Sequence, residues 1–461
     1  MSRPLNSSRR KLGWLLVPIV VRFLIGCGGQ EYQERVMSEA KNEASEEVVK
    51  FHRIVENGSL AELKQALKNG ADVNAPGHVE QTALMVAIAA KDSEKMKLLI
   101  EHGADPEITD EFNATALRHA VGADFPAGAR FLLSLGVDRG YHPKYPLKKI
   151  DYGSHFLEIE IPEEMKELVS EAEWKESVED GRKSMVEMGQ NPTVEPMISD
   201  VQSVNVLKLF LDAGDDLSQA PTDVKRDFVG LGNGGEFQSS PDDYTMHKSP
   251  HFGTRNPDHM DNPFWRDMIK LGCNAYDARQ HFDDNEPFDK PGAVWCYDRF
   301  GSSLTRLNDG RFVEIGGEHE DHYDPDFHIY NDVVIHDGKG KFRIYGYPKD
   351  VFPPTDFHTA SLVEDWIYIV GCLGYMDQRQ IGRTPVYRLK LGSWEIETIN
   401  TSGEMPSWPH GHRSKFDPKR HVIHVEGGDI HIAGDDGELQ IIPNEQQFEL
   451  DLSTHQWRRL N

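Results

Sequence analysis

The sequence predicts a multidomain α + β chain, a helical repeat array followed by a region of β-repeats. Three observations carry that prediction. Gly-centred motifs recur every 33 residues between positions 69 and 138. Strand motifs ending in Gly recur every 55 or 56 residues between positions 312 and 428. Ahead of both lie a basic start and a short apolar run ending at Cys27. The 461 residues suffice for two to four domains at roughly 100–200 residues each.

Charge narrows the function classes. The chain has 50 Lys+Arg against 76 Asp+Glu, a net charge of −26. Phosphate contacts need clustered Lys and Arg, and no basic stripe follows residue 30. A general nucleic-acid binder is therefore excluded. The four cysteines, Cys27, Cys273, Cys296 and Cys372, form no CxxC pair, which removes zinc-knuckle and thioredoxin-like chemistry.

Residues 1–26 read as an export signal. Arg3, Arg9, Arg10 and Lys11 precede the apolar run Leu12-Gly13-Trp14-Leu15-Leu16-Val17-Pro18-Ile19-Val20-Val21, interrupted by Arg22 and followed by Phe23. A basic start, a short apolar stretch and a small residue before the cut describe a secretory signal. Leu24-Ile25-Gly26-Cys27 resembles the lipobox of bacterial lipoproteins. That resemblance implies acylation of Cys27 and a lipid-anchored place in the cell envelope, periplasmic or surface-facing. Residues 27–47 continue as a polar, Glu-rich tether, a composition that buries too little surface to fold alone.

Residues 48–140 form the helical array. Asn69-Gly70-Ala71-Asp72, His102-Gly103-Ala104-Asp105 and Leu135-Gly136-Val137-Asp138 align, as do Thr82-Ala83-Leu84 and Thr115-Ala116-Leu117. Each Thr is expected to cap a first helix, and each Gly to end a second helix at positive φ. The second helices carry Leu60, Leu63 and Leu67, then Met96, Leu98, Leu99 and Ile100, then Phe131, Leu132 and Leu133. One repeat cannot cover such a face alone, so repeats must stack. The pattern resembles the ankyrin family, whose 33-residue repeats open on Thr-Pro-Leu-His. This chain departs from that tetrapeptide with Thr82-Ala83-Leu84-Met85 and Thr115-Ala116-Leu117-Arg118.

The period breaks after residue 140. Residues 141–200 read as an acidic insertion, and 201–293 as degenerate ankyrin-like helices and linker. Within the latter, Val204 to Asp212 ends in Ala213-Gly214-Asp215, and Phe264 to Cys273 is a weaker echo. Both are expected to continue the stack.

From 294 to 461 the pattern is of strands. Phe312-Val313-Glu314-Ile315-Gly316-Gly317, Ile367-Tyr368-Ile369-Val370-Gly371-Cys372 and Val422-Ile423-His424-Val425-Glu426-Gly427-Gly428 align, and later strands end at Phe342, Trp394 and Trp457. A strand, a Gly-Gly, a longer loop, another strand and an aromatic resemble the kelch repeat, one four-stranded propeller blade. The fold class is thus an N-terminal ankyrin-type α-solenoid followed by a partial kelch-type β-propeller of about three blades. Propellers close with about 4–8 blades, so both ends need a cover. Residues 264–296, with Phe264, Trp265, Met268, Ile269 and Trp295, are expected to cover one. The other is open to self-association through apolar strands such as Phe448 to Leu452.

The leading functional expectation is a membrane-anchored, non-enzymatic interaction or scaffold protein with protein partners and no cofactor. Ankyrin-type stacks bind with turn tips and first helices, here Glu80, Gln81, Glu111, Phe112 and Asn113. Glu318-His319-Glu320-Asp321-His322 groups carboxylates and imidazoles, so His319 and His322 are candidate metal ligands, against a solvated-loop reading. The alternative is a propeller enzyme or carbohydrate-binding protein using His319, His322, His358 and His412. Histidines at blade starts, His358, His410 and His412, are expected to be structural. No G-x-S-x-G elbow is present, and Gly230-Leu231-Gly232-Asn233-Gly234-Gly235 lacks the Lys-Ser/Thr of a phosphate cradle. The anchor gives a direct test. Cys27→Ser should release the protein from the membrane fraction and abolish fatty-acid labelling, whereas unlabelled, soluble wild type would remove the lipoprotein reading.

Overall fold

The computed structural model describes residues 45–141, 195–232, 234–285, 292–321, 324–434 and 439–460. Cys27 with its lipobox-like context, most of the tether and most of the acidic insertion lie outside them. The chain divides into two compact units, up to Asp215 and from Asp216 onward.

In the first unit, helices come in antiparallel pairs: α1 (Glu46–Asn57) with α2 (Leu60–Lys68), α3 (Ala83–Ala89) with α4 (Ser93–Glu101), and α5 (Ala116–Gly122) with α6 (Pro126–Ser134). The caps follow from the repeated residues. Thr82 and Thr115 accept hydrogen bonds from the backbone N–H of Met85 and Arg118, both at 3.4 Å. Gly103 stands at φ 88°, which lets Ala104 N–H reach the Leu99 carbonyl at 3.0 Å and satisfy the helix end. Leu63, Met96, Leu99 and Leu132 are fully buried where the pairs stack. A fourth, truncated repeat follows. The 3-10 turn Met197–Asp200 packs on α5 where a first helix would stand, and α7 (Val204–Asp212) packs on α6. Gly214 closes it at φ 92°. A short pair, β1 (Gly140–Tyr141) with β2 (Glu195–Pro196), brackets the insertion.

The second unit opens with α8 (Thr222–Phe228), α9 (Pro241–His247), β3 (Asp258–His259), α10 (Pro263–Leu271) and α11 (Ala275–His281). Three antiparallel sheets follow. The first holds β4 (Ser303–Arg306), β5 (Phe312–Ile315), β8 (Val333–His336) and β9 (Phe342–Gly346), with β3 added at its edge. A hairpin of β6 (Glu318–Asp321) and β7 (Asp324–Ile329) is inserted between β5 and β8. The second sheet is β10 (Thr359–Val363), β11 (Trp366–Val370), β12 (Val386–Lys390) and β13 (Ile396–Thr398). The third holds β15 (Arg413–Asp417), β16 (Val422–Glu426), β19 (Gln447–Asp451) and β20 (Gln456–Leu460). It is extended by β14 (Ser402–Gly403), which runs parallel to β20, and interrupted by the hairpin of β17 (Asp429–Ala433) and β18 (Leu439–Pro443). First strands β4, β10 and β15 stand side by side, but the three sheets close no ring among the described residues.

Side-chain alternation loads the sheet faces. Val313, Ile315, Val333 and Ile335 meet Ile367, Ile369 and Leu389 between the first two sheets. Tyr368, Val370 and Val386 meet Ile423, Val425, Phe448 and Leu450 between the second and third. The glycines permit this stacking: Gly316 and Gly371 have φ 58° and 71°, and a Cβ on either would strike the next sheet's backbone at Thr355 or Pro409.

The two ends of the stack differ, one being covered and the other charged. On the outer face of the first sheet, Phe264, Trp265, Met268 and Ile269 of α10 pack against Trp295, Tyr330, Val334 and Ile344. Trp265 and Trp295 stack at 4.6 Å. The Phe264–Cys273 segment therefore serves the β-sheets as cover and does not continue the helical stack. Its apolar face has the right period for either role, and only the available partner surface decides. At the far end, the expected apolar face is absent. Register places Lys415, His424, Glu449 and Arg458 together on the outward face of the third sheet, and Arg420, Arg458 and His424 all pair with the buried Glu449 carboxylate. Phe448 and Leu450 point inward instead, so the hydrophobic drive expected for self-association is missing from that face.

Under the helical cover, Arg299 pairs with Asp332, and both side chains are buried. Asp332 also accepts the indole N–H of Trp295 at 2.8 Å. Removing one partner of such a pair strands the other charge. Asp332→Ala should therefore destabilise the second unit by about 3–5 kcal/mol, measured by urea unfolding with tryptophan fluorescence; a loss below about 1 kcal/mol would show that the pair is dispensable.

Candidate functional site

In the first unit the expected tip residues divide. Val79 and Glu80 take positive φ, 50° and 60°, and Gly77 N–H closes the turn on the Gln81 carbonyl at 2.8 Å. The next tip docks on it through Glu111 N–H to the Val79 carbonyl at 3.0 Å. Glu80, Gln81, Glu111 and Phe112 thus form one continuous rim, with Phe112 exposed. Asn113 is different. It is 7% exposed at φ 59°, because the tip turns inward there, so it is a turn residue and not a contact residue.

Asp110 organises that tip. Its Oδ1 accepts from the N–H groups of Phe112 and Ala114, both at 2.9 Å, and its Oδ2 lies 2.9 Å from His119 Nε2. Arg118 Nε donates to Asp200 Oδ2 at 3.0 Å, and its guanidinium lies over the Tyr141 ring at 3.5 Å. A groove of about 400 Å³ runs beside them, with Ala89, Ala114, Gly122 and Ala123 in its wall and Arg118, His119, Asp200 and Gln202 at its polar side. Small residues let another chain's backbone approach closely, and pinned donors supply direction. The sequence reading did not select Arg118 and His119. The signal for Arg118 was present in the departure from Thr-Pro-Leu-His at 115–118.

In the second unit, His319 is buried in β6 opposite His328 of β7, and His322 lies outside the described residues. Among the described residues no group of three or more His, Cys, Asp or Glu is arranged to hold a metal ion. The histidines at the starts of the second and third sheets form a repeated device. His358 Nε2 lies 2.8 Å from Ser303 Oγ of the preceding sheet, and His412 Nε2 lies 2.9 Å from Thr359 Oγ1. In the third sheet Arg413 stands where Ser303 and Thr359 stand in the first two, so no hydroxyl awaits a further histidine. His410 Nδ1 and His431 Nε2 are 3.3 Å apart. Near them the Asp356 carboxyl accepts from Gly374 N–H at 2.6 Å and has the Glu318 carboxyl as side-chain neighbour. Burial raises the pKa of Asp356 above the ordinary carboxyl range.

Comparison with known proteins supports the helical half. Residues 51–140 match the family model of ankyrin repeats, in three copies. Over 88 residues the chain is 34% identical to YahD of Escherichia coli (strain K12), which is named as an ankyrin repeat protein. Over 63 residues it is 36% identical to an L-asparaginase of Dirofilaria immitis. These segments are 18% and 14% of this chain, and they span 44% and 11% of the respective relatives.

Burial makes the histidine device acid-sensitive. Loss of solvation lowers the pKa of His358 and of His412 from 6.5 to about 3. Unfolded, both protonate near 6.5, so below that pH the unfolded chain binds more protons than the folded one. Their contribution to stability is complete above pH 6.5 and falls as pH drops toward 3, by at most about 1.4 kcal/mol per pH unit for each histidine. Urea midpoints measured between pH 7 and 4 should fall steeply for wild type and less steeply for His358→Gln and His412→Gln; equal slopes would show that neither histidine is held neutral.

Proposed function

We propose that the ankyrin repeats are a protein-binding module and that the chain is a non-enzymatic interaction or scaffold protein of the bacterial cell envelope. The observation that carries this reading is the stacked ankyrin array at 51–140, which presents an open groove beside an exposed rim. In this reading a partner segment lies along Ala89, Ala114 and Ala123, gives an acceptor to Arg118 or His119, and covers Phe112 at the rim. The lipobox-like Leu24-Ile25-Gly26-Cys27 supports an anchor at Cys27 that holds this face at a membrane. Among the described residues no helix is long and apolar enough to cross one.

The three sheets are read as three blades of a kelch-type arc serving as a rigid scaffold. Support comes from their four-strand order, their adjacent first strands and the repeated His-to-hydroxyl bond between sheets. The absence of a G-x-S-x-G elbow and of a phosphate cradle in the sequence favours binding over catalysis.

A photo-crosslinking residue placed at Gln202 or Phe112 tests the binding role in cells. Discrete protein adducts should form, and Ala123→Arg, which fills the groove, should reduce them roughly tenfold, the effect of about 1.4 kcal/mol. Equal adducts from residues on the outer helices, or none from the groove, would remove this face as the binding surface.

A further inference from the structure

The three sheets share an end at which the chain repeats one turn. Gly301, Phe357 and Gly411 all take positive φ, 64°, 46° and 60°. They are laddered by Phe357 N–H to the Gly301 carbonyl and Gly411 N–H to the Phe357 carbonyl, both at 2.8 Å. The residues just before them, Phe300, Asp356 and His410, therefore occupy equivalent places at one mouth. The loops after the second strands arrive beside them: Glu318 bridges Phe300, Leu373 N–H donates to the Asp356 carbonyl, and Asp429 bridges His410.

Polar groups at this mouth exceed what the stacking requires. Arg379 is fixed by the carbonyls of Leu373 and Gly374 and remains half-exposed. His410 sits against His431, whose ring is fully buried and whose Nδ1 has no protein partner among the described residues. Burial raises the pKa of Asp356, which has Glu318 beside it, and the Asp429 carboxylate stands half-exposed 3.9 Å from His410 Nε2. Burial keeps His410 and His431 neutral. The assembly is rich in both donors and acceptors. Apolar side chains rim it: Phe300 and Met376 are exposed, and Phe327 meets Tyr375 edge-on at 5.8 Å.

We propose that this mouth binds an uncharged polyhydroxyl ligand, a saccharide, with Arg379, His410 and Asp429 as its polar contacts. Each hydroxyl both donates and accepts, so one ligand can meet the Arg379 donor, the Asp429 acceptor and the His410 imidazole together. The aromatic and thioether rim suits the C–H face of a sugar ring. The site belongs to the second unit and is independent of the ankyrin groove.

Calorimetric titration of the full chain with glucose, galactose, N-acetylglucosamine and cellobiose tests it, with acetate and phosphate in parallel. Saturable binding of at least one saccharide is expected. Arg379→Ala and His410→Gln should weaken it roughly tenfold or more, Arg379→Lys should weaken it less, and Lys415→Ala on the outward face of the third sheet should not change it. Thermal melting verifies that each variant is folded. No saturable binding by any of the four, saturation by acetate or phosphate alone, or undiminished binding in folded Arg379→Ala would overturn the proposal.

Discussion

The second unit depends on the buried ion pair of Arg299 and Asp332. Arg299 sits between the rings of Trp295 and Tyr330, 4.8 Å and 3.6 Å from their centroids, and donates to the carbonyls of Cys296 and Gly316. The Asp332 carbonyl accepts from Gly316 N–H at 3.0 Å. One pair therefore joins the helical cover, the Gly-Gly turn of the first sheet and the start of β8. A buried pair is worth its desolvation only where its remaining hydrogen bonds are met, and here they are met by backbone groups that the fold has to satisfy in any case. The pair also orients Trp295, on which Trp265 stacks.

A stack of sheets that closes no ring among the described residues has two outer faces to resolve, and this chain resolves them by different physics. The first sheet is apolar on both faces and takes a helical layer as its outer neighbour. The third sheet is apolar on one face only. Its outer face holds Glu449 among Arg420, Arg458 and His424, a charged network that has no hydrophobic gain to offer another sheet. Arg413 in place of a hydroxyl repeats the same message one strand away. The stack ends because its last member has a surface instead of an interface.

Much of this was legible in particular residues. The 33-residue spacing of Gly70, Gly103 and Gly136, with Thr82 and Thr115 as caps, specified the helix pairs, because both devices act within a few residues of themselves. Gly214 likewise marked the return of the stack after the insertion. The candidate sites were less legible. The tip residues Glu80, Gln81, Glu111 and Phe112 form a rim, but Asn113 is a turn residue, since the direction of a tip depends on a hydrogen-bonded turn organised by Asp110. Arg118 and His119 acquire meaning only through Asp200 and Asp110, and Asp200 is 82 residues from Arg118. The mouth cluster is more remote still: Glu318, Asp356, Arg379, His410 and His431 come from five segments, and only Asp356 and His410 hold equivalent places in the repeat.

By itself the sequence determined the repeats, their periods, the caps, the Gly-Gly turns and the acidic character of the chain, all of which follow from local backbone geometry and side-chain composition. Strand alternation also encoded which sheets are interior. Val333-Val334-Ile335 and Ile367-Tyr368-Ile369-Val370 are apolar on both faces, while Phe448-Glu449-Leu450-Asp451 alternates. Only the tertiary structure decided which surface α10 would cover, because an amphipathic helix of nine residues fits an ankyrin neighbour or a sheet equally well by period. It alone also decided that two carboxyls, one guanidinium and two imidazoles would share a mouth. Charge balance and burial are properties of neighbours in space, and neither can be read from residues until the fold has made them neighbours.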